Sequence, residues 1–288
     1  NFSHCEAFTK KYGGKPYKSF EEMLDDPNID AIYIGVPHNK HFYYAKRALE
    51  RRIPVLCEKP LTLGLNSTVE LFKIAEENDT YFVEAMWTWF NPTACKAREW
   101  VKEGKIGKSL SFDGDFSVPT AFFGRKERLF DPKFGGGSLF DLGVYPITYA
   151  YSIFGYPKGI EAKAKMKHGV DYKNKIILHY DGFDCVCTCG FMSIKTCPIK
   201  IKGDKGSIYV GPVHHEARKA KLSGQFNEVF KDTENMGGYE REFVLVSEEI
   251  KKGLKTSNYV PKQQTIDCMK IMEEVKKLVG LNYPNDIE

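Results

Sequence analysis

Ile53-Pro54-Val55-Leu56-Cys57-Glu58-Lys59-Pro60 is a short apolar run that stops at a charged pair and a proline. A run of this length, bounded by breakers, fits a strand buried in a parallel sheet. Open α/β sheets bind ligands at the carboxyl ends of their strands, which is where Lys59 falls. Pro60 fixes its own φ and biases Lys59 toward extended backbone, so a stiffened chain carries the ammonium. Lys59 reads as a cationic donor aimed into a cleft.

Working outward, residues 1–91 alternate helix and strand. Helical stretches fall at 3–12, 39–51 and 67–77, and a short amphipathic turn at 20–24. The β-branched run 29–36 is expected to be a strand buried on both faces, and 81–84 a further strand. Such alternation implies right-handed crossovers and a parallel sheet. After Asn91-Pro92 the rhythm changes. A helix at 93–103 leads to an alternating strand at 109–118, and the glycines 135–137 precede a helix at 138–153. Strand-like segments follow at 160–168, 174–180, 183–192, 198–202 and 207–210, with turns such as Asp181-Gly182 that favour antiparallel pairing. Helices near 240–252 and 262–279 close the chain. The fold class is α/β: an incomplete Rossmann-type parallel-sheet domain over 1–91, then an α+β domain over 92–288 with a large, mainly antiparallel open sheet.

Composition removes several function classes. The net charge of +4 over 288 residues, with no dense basic stripe, argues against a nucleic-acid binder. No apolar stretch approaches the ~18 residues of a membrane span, and no secretory segment opens the chain. A cytoplasmic setting is expected, with the eight cysteines as reduced thiols. Cys185, Cys187 and Cys189 alternate along one strand and share a face, but lack the spacing of a metal site, so no metal is expected.

A dinucleotide-binding domain normally opens with strand, glycine-rich turn and helix. No G-x-G-x-x-G lies near the start here, and Gly13-Gly14 follows a helix as a stop signal would. The chain begins at Asn1, so a first strand–helix–strand of about 30 residues is expected either to lie upstream or to have been lost.

Downstream of the glycines, Asp141 and Tyr145 stand at i,i+4 and share a helix face if the helix is regular. A tyrosine ionises near pH 10, and a neighbouring ammonium lowers that value, which makes a phenol usable in proton transfer. With these residues in view, the run 34–41 (Ile-Gly-Val-Pro-His-Asn-Lys-His), the run 55–61, Glu84-Ala85-Met86-Trp87-Thr88, the segment 135–146 and Gly238-Tyr239-Glu240 resemble the Gfo/Idh/MocA oxidoreductase family. The chain is most similar to its dimeric dihydrodiol dehydrogenase and NADP-dependent D-xylose dehydrogenase branch, and the resemblance covers nearly the whole length.

That resemblance implies an NADP- or NAD-dependent dehydrogenase that moves hydride between nicotinamide and a carbinol of a sugar or trans-dihydrodiol, as a homodimer or higher homo-oligomer. It implies Tyr145 as general acid/base, Lys59 as the group that depresses its pKa and holds the substrate oxygen, and Asp141 as the orienting carboxylate. It implies Val36, Pro37, His41, Glu58 and Lys59 along the nicotinamide, and Trp87 with Lys59 and Tyr145 around the substrate. His38 and His41 lack a third ligand for zinc, and the family's cofactor loop accounts for His41. The family usually carries arginine where Trp89 stands, and 120–130 reads as a pocket loop. The absent phosphate-binding turn motivates a second reading, a non-catalytic binding or dimerisation module.

Overall fold

The computed structural model describes residues 2–119, 126–192, 196–234 and 236–284. In it the run 53–60 supplies β2 (Val55–Glu58), the centre of a three-stranded parallel sheet between β1 (Ile32–Ile34) and β3 (Phe82–Ala85). Val55, Cys57 and Phe82 join one core with α3 (His41–Glu50) and α4 (Leu65–Glu77). Leu56, Val83 and Ala85, on the opposite face, belong to the core of the second unit. Lying between two cores explains the unbroken apolar run. β1 departs from expectation. It is three residues long, and Tyr33 is 42% exposed, because the second core does not extend over this edge strand. Tyr33 packs edge-on against Phe243 instead and donates to the Glu58 carboxylate. Upstream, α1 (Phe2–Tyr12) buries no side chain, and Ser19 caps α2 (Phe20–Leu24) by accepting from the Glu22 N–H.

Asn91 ends the parallel unit and begins the next, accepting from Thr93 N–H to cap α5 (Pro92–Lys102). Eight strands follow: β4 (Ser109–Ser117), β5 (Gly159–Lys167), β6 (Val170–Tyr180), β7 (Phe183–Gly190), β8 (Ile199–Gly203), β9 (Gly206–Val210), β10 (Lys219–Gly224) and β11 (Glu228–Lys231). They form one sheet in the order β11-β10-β9-β8-β4-β7-β6-β5, antiparallel except for the parallel pair β4 and β7. β10 and β11 escape a reading of hydrophobic pattern. β11 lies at the sheet edge with no buried residue, and β10 alternates lysine and serine with only Ala220 and Leu222 inward. One face of this sheet is covered by α5, α7 (Val144–Phe154) and α9 (Lys262–Val279). Cys185, Cys187 and Cys189 are buried, and burial raises all three thiols, that of Cys189 to about 12. A short helix, α6 (Lys126–Leu129), precedes the glycine triplet. No helix among the described residues is long and apolar enough to cross a membrane.

The two units are locked by polar contacts buried between them. The Glu84 carboxylate, on β3, accepts from Leu61 N–H (3.0 Å) and from Thr265 Oγ1 of α9 (2.9 Å). Tyr81 donates to Glu249 (2.6 Å) of α8 (Gly238–Lys251). Two turns earlier on α8, Glu242 is fully buried, and neither carboxylate oxygen has a partner among the described residues. Burial, reinforced by the carboxylates of Glu58 and Glu84, pushes its pKa up to about 9.

A folded-state value raised from 4.5 to about 9 means that the stability this group contributes is present in full below pH 4.5 and is lost as pH climbs toward 9. Glu242→Gln removes that titration. The variant is expected to melt above the parent at pH 8, by a margin that shrinks toward pH 5. Thermal melts across this range check the sign, and a margin independent of pH refutes it.

Candidate active site

The site is assembled where the end of β2 meets the start of α7. Residues 139–143 form a π-turn, shown by the Val144 N–H reaching back to the Leu139 carbonyl. In that i→i−5 register the donor to the Asp141 carbonyl would be the nitrogen of Pro146, which has no hydrogen. The Lys59 ammonium takes that place, donating to Asp141 O at 2.7 Å. The same ammonium lies 4.6 Å from the centre of the Tyr145 ring, as a cation over the π-face. Lys59 is thus positioned as its sequence setting implied, half-buried at a strand end.

The π-turn is held from below. Gly137 has φ +115°, and a side chain there would collide with the Asp171 carboxylate. Asp171, buried on β6, accepts from Leu139 N–H (2.7 Å) and Ser138 Oγ (2.9 Å). Gly143 lets the turn approach β7, since a Cβ would lie 3.0 Å from Cys189 Sγ. The carboxylate of Asp141 projects toward Arg128 (3.6 Å) and His38 Nε2 (3.9 Å). Burial raises its pKa, but Lys59 and the other flanking cations outweigh that effect and hold it below the usual carboxylate range. Burial drives His38 down to about 3, so its imidazole is neutral, and its Nδ1 lies 3.1 Å from the Gly135 carbonyl.

Tyr145 is set in an aromatic box. Trp87 donates from Nε1 to its hydroxyl oxygen at 2.9 Å, Phe116 lies 5.0 Å from its ring and His215 6.0 Å. Because indole N–H only donates, the phenol oxygen is the acceptor there and its own hydrogen points elsewhere. One expectation is corrected. Burial pushes the Tyr145 pKa well up, and the Lys59 ammonium, which sits over the ring, does not offset that rise. The phenol is protonated at rest. Asp141 and Tyr145 also do not share a regular helix turn, since the π-turn separates them.

A cavity of about 470 Å³ opens beside this box, lined by Trp87, Asn91, His215, Tyr239 and Arg241 among others. Gly238 leaves room for the Trp87 ring, which a Cβ would strike, and Tyr239 stacks on that ring at 5.1 Å. Trp89 stacks on the Arg98 guanidinium (4.3 Å) and does not line the cavity. Of the expected pocket loop 120–130, residues 120–125 lie outside the described residues, and Arg128 is the member that reaches Asp141.

Val36 and Pro37 follow β1, half-buried and exposed respectively, and Glu58 is half-buried at the end of β2. His41 is placed differently from its expected role against a cofactor. It is fully buried, with Nδ1 3.0 Å from the Pro60 carbonyl and Nε2 2.9 Å from that of Val36, and so braces the two loops from beneath. His215 and Glu242 were not legible in the sequence, because no spacing pattern joins them to the motifs that they meet, and Arg128 lay within the expected pocket loop without an assigned contact. Among the described residues no group of three His, Cys, Asp or Glu side chains could hold a metal.

The strand ends fit the nicotinamide half of a dinucleotide. Val36 and Pro37 offer apolar surface, and Lys59 uses one of three N–H donors on Asp141, leaving others for a substrate oxygen. No G-x-G-x-x-G turn stands between a strand and a helix among the described residues, so these residues supply no pyrophosphate cradle.

The comparisons agree with this architecture. Residues 1–85 match a family model described as "Oxidoreductase family, NAD-binding Rossmann fold", and residues 95–209 match the "GFO/IDH/MocA C-terminal domain". The chain is 30% identical to trans-1,2-dihydrobenzene-1,2-diol dehydrogenase of Bos taurus, over 99% of this chain and 88% of the relative. It is 29% identical to scyllo-inositol 2-dehydrogenase (NADP(+)) IolU of Bacillus subtilis, over 98% and 87%. In fold it resembles KijD10, a 3-ketoreductase from Actinomadura kijaniata solved with NADP and TDP-benzene, with a TM-score of 0.85 and 22% identity over 97% of this chain and 87% of the other. Two family domains matched in order, and a relative aligned along almost the entire length, mean that the chain belongs to the Gfo/Idh/MocA oxidoreductase family.

Proposed function

We propose that this chain is an NADP-dependent dehydrogenase acting on a secondary alcohol of a sugar, cyclic polyol or trans-dihydrodiol, with Tyr145 as the proton donor and acceptor. The observation that carries the reading is the Tyr145 hydroxyl, buried, fixed by the Trp87 N–H and set under the Lys59 ammonium beside a substrate-sized cavity. The names of the relatives supply the substrate classes and the preference for NADP over NAD.

The dinucleotide, when bound, supplies the hydride acceptor, or the donor in the reverse direction. The chain controls position and protons. Protonated at rest, Tyr145 is set for reduction: its O–H, directed away from Trp87, meets a carbonyl oxygen and gives up its proton as that oxygen gains charge. The phenolate left behind is stabilised by the Trp87 N–H and the Lys59 ammonium. Oxidation runs the same path backward, with Tyr145 taking the carbinol proton after losing its own. Lys59 polarises the substrate oxygen, and Asp141, ionised, holds the ammonium in the cleft through its carbonyl and its charge.

The assembly of Lys59, Asp141, Tyr145 and Trp87 at one place favours this reading over a non-catalytic module, in which none of these contacts is needed. Titrating NADPH and NADH by nicotinamide fluorescence, then screening inosose, ketose and dihydrodiol turnover, tests it. Tyr145→Phe and Lys59→Ala are each expected to cut kcat by about 10²-fold or more without a matching loss of melting temperature. Turnover close to the parent's in the double variant contradicts the assignment.

Tyr145, held well above its ordinary value, and Asp141, held below its own, do not titrate near neutrality, and Glu84 (pushed up to about 7) and Glu242 (about 9), which do, are not among the groups proposed to handle the proton. For carbonyl reduction, kcat/KM is therefore expected to stay level between pH 6 and pH 9. A falling alkaline limb within that window, measured with saturating NADPH, excludes the resting state described for Tyr145.

A further inference from the structure

His215 takes no part in the proton chemistry above, yet its ring is held as tightly as any in the site. It follows the buried His214 in the short turn His214–Glu216 that connects β9 to β10. The ring stacks on Phe116 with centroids 4.0 Å apart and planes at 17°, and meets Trp87 edge-on at 5.8 Å. It lines the cavity of about 470 Å³ beside the stacked pair Trp87 and Tyr239. Its Nδ1 is sealed from solvent and has no hydrogen-bond partner among the described residues.

This placement selects a tautomer. An orphaned buried N–H is less well tolerated than an orphaned acceptor, so the hydrogen belongs on Nε2. The part of the ring left to reach the cavity therefore carries a donor. Burial, followed by the neighbouring His214 and then Lys59, holds its pKa at about 3, so the ring is neutral throughout the working range. Next to His215 the cavity wall is the aromatic pair Trp87 and Tyr239, with Phe116 packed behind the imidazole, while Arg218, Asp232, Glu240 and Arg241 line other parts of the cavity. A neutral donor set in this aromatic patch pairs with a hydroxyl and offers nothing to a charged group.

We propose that His215 is a specificity-determining residue that donates from Nε2 to a substrate hydroxyl away from the reacting carbon, so that the preferred substrate is a ring polyol or sugar and not a hydrocarbon diol. This rests on the functional reading above, which takes the cavity as the substrate site. The flat faces of Trp87 and Tyr239 cover the C–H face of such a ring, and His215 reads its hydroxyl edge. A site built to satisfy a hydroxyl discriminates strongly against a ligand that lacks it, because its own donor is then left unpaired.

The test compares a cyclic polyol (scyllo-inositol) with trans-1,2-dihydrobenzene-1,2-diol, whose two hydroxyls sit on adjacent carbons, as substrates for NADP reduction. His215→Phe keeps the stacking and removes the donor. It is expected to raise the polyol KM about tenfold or more with kcat little changed, while the dihydrodiol KM stays level or falls. His215→Gln, which retains an N–H at the outer position, is expected to recover most of the polyol KM. Melting temperatures of both variants identify any loss of fold. A parent active on the polyol and a Phe variant that shifts both substrates equally, or neither, overturn the proposal and leave the dehydrogenase reading standing. A parent active on the dihydrodiol alone also overturns it. A parent that binds no NADPH and turns over neither substrate removes the dehydrogenase reading and the proposal together.

Discussion

The contact on which the rest of the site depends is the bond from the Lys59 ammonium to the Asp141 carbonyl. Each partner has a deficit that the other removes. A carbonyl in the π-turn faces a proline where its donor would be, and an ammonium drawn half out of water needs an acceptor. Lys59 comes from the central strand of the parallel sheet, and Asp141 from the turn that leads into the helix against the large sheet. The bond therefore fixes one sheet relative to the other at the point where chemistry is proposed. The glycines before the turn and the buried Asp171 carboxylate beneath it exist, in structural terms, to hold that carbonyl in place.

Around this contact, low exposure shapes the electrostatics more than any single charge does. Burial raises Tyr145, Glu84 and Glu242 and lowers His38 and His215. Asp141 alone of the site carboxylates is held down, by Lys59 and Arg128. The result is a centre with two cations, Lys59 and Arg128, around the Asp141 anion, and several neutral hydrogen-bonding groups. Such an arrangement transfers a proton by direction and distance, with little dependence on the acidity of the medium.

How much of this was legible in the chain follows from the range of the interactions. β2 and the placement of Lys59 were readable because a buried strand writes its environment into consecutive residues. The mainly antiparallel sheet was readable for the same reason, from alternation in β4 and in β6 to β9. Tyr33 broke the reading of β1, since which face of an edge strand is covered depends on a neighbour far away in sequence. β10 and β11 were missed because edge strands carry polar residues on purpose. The resemblance brought Lys59, Asp141, Tyr145 and Trp87 forward, and they do meet, but their electrostatics required coordinates: a lysine beside a phenol and a lysine above it have the same spacing. His41 illustrates the point from the other side. Its motif is unmistakable, and its place is beneath the loops, with both ring nitrogens turned to backbone carbonyls. His215 and Glu242 left no trace in any pattern, since each acts through contacts that only the folded chain creates.

The Trp87 indole has a consequence outside chemistry. The sequence holds three tryptophans. Trp100 is locked in the core with its N–H on Glu228, and Trp89 lies under an arginine. Trp87 alone of the three borders the cavity and touches the phenol. Its excited state thus sits beside whatever enters the cavity, while the other two tryptophans do not line it. The protein carries an optical gauge of its own occupancy, built from the same ring that orients its proton donor.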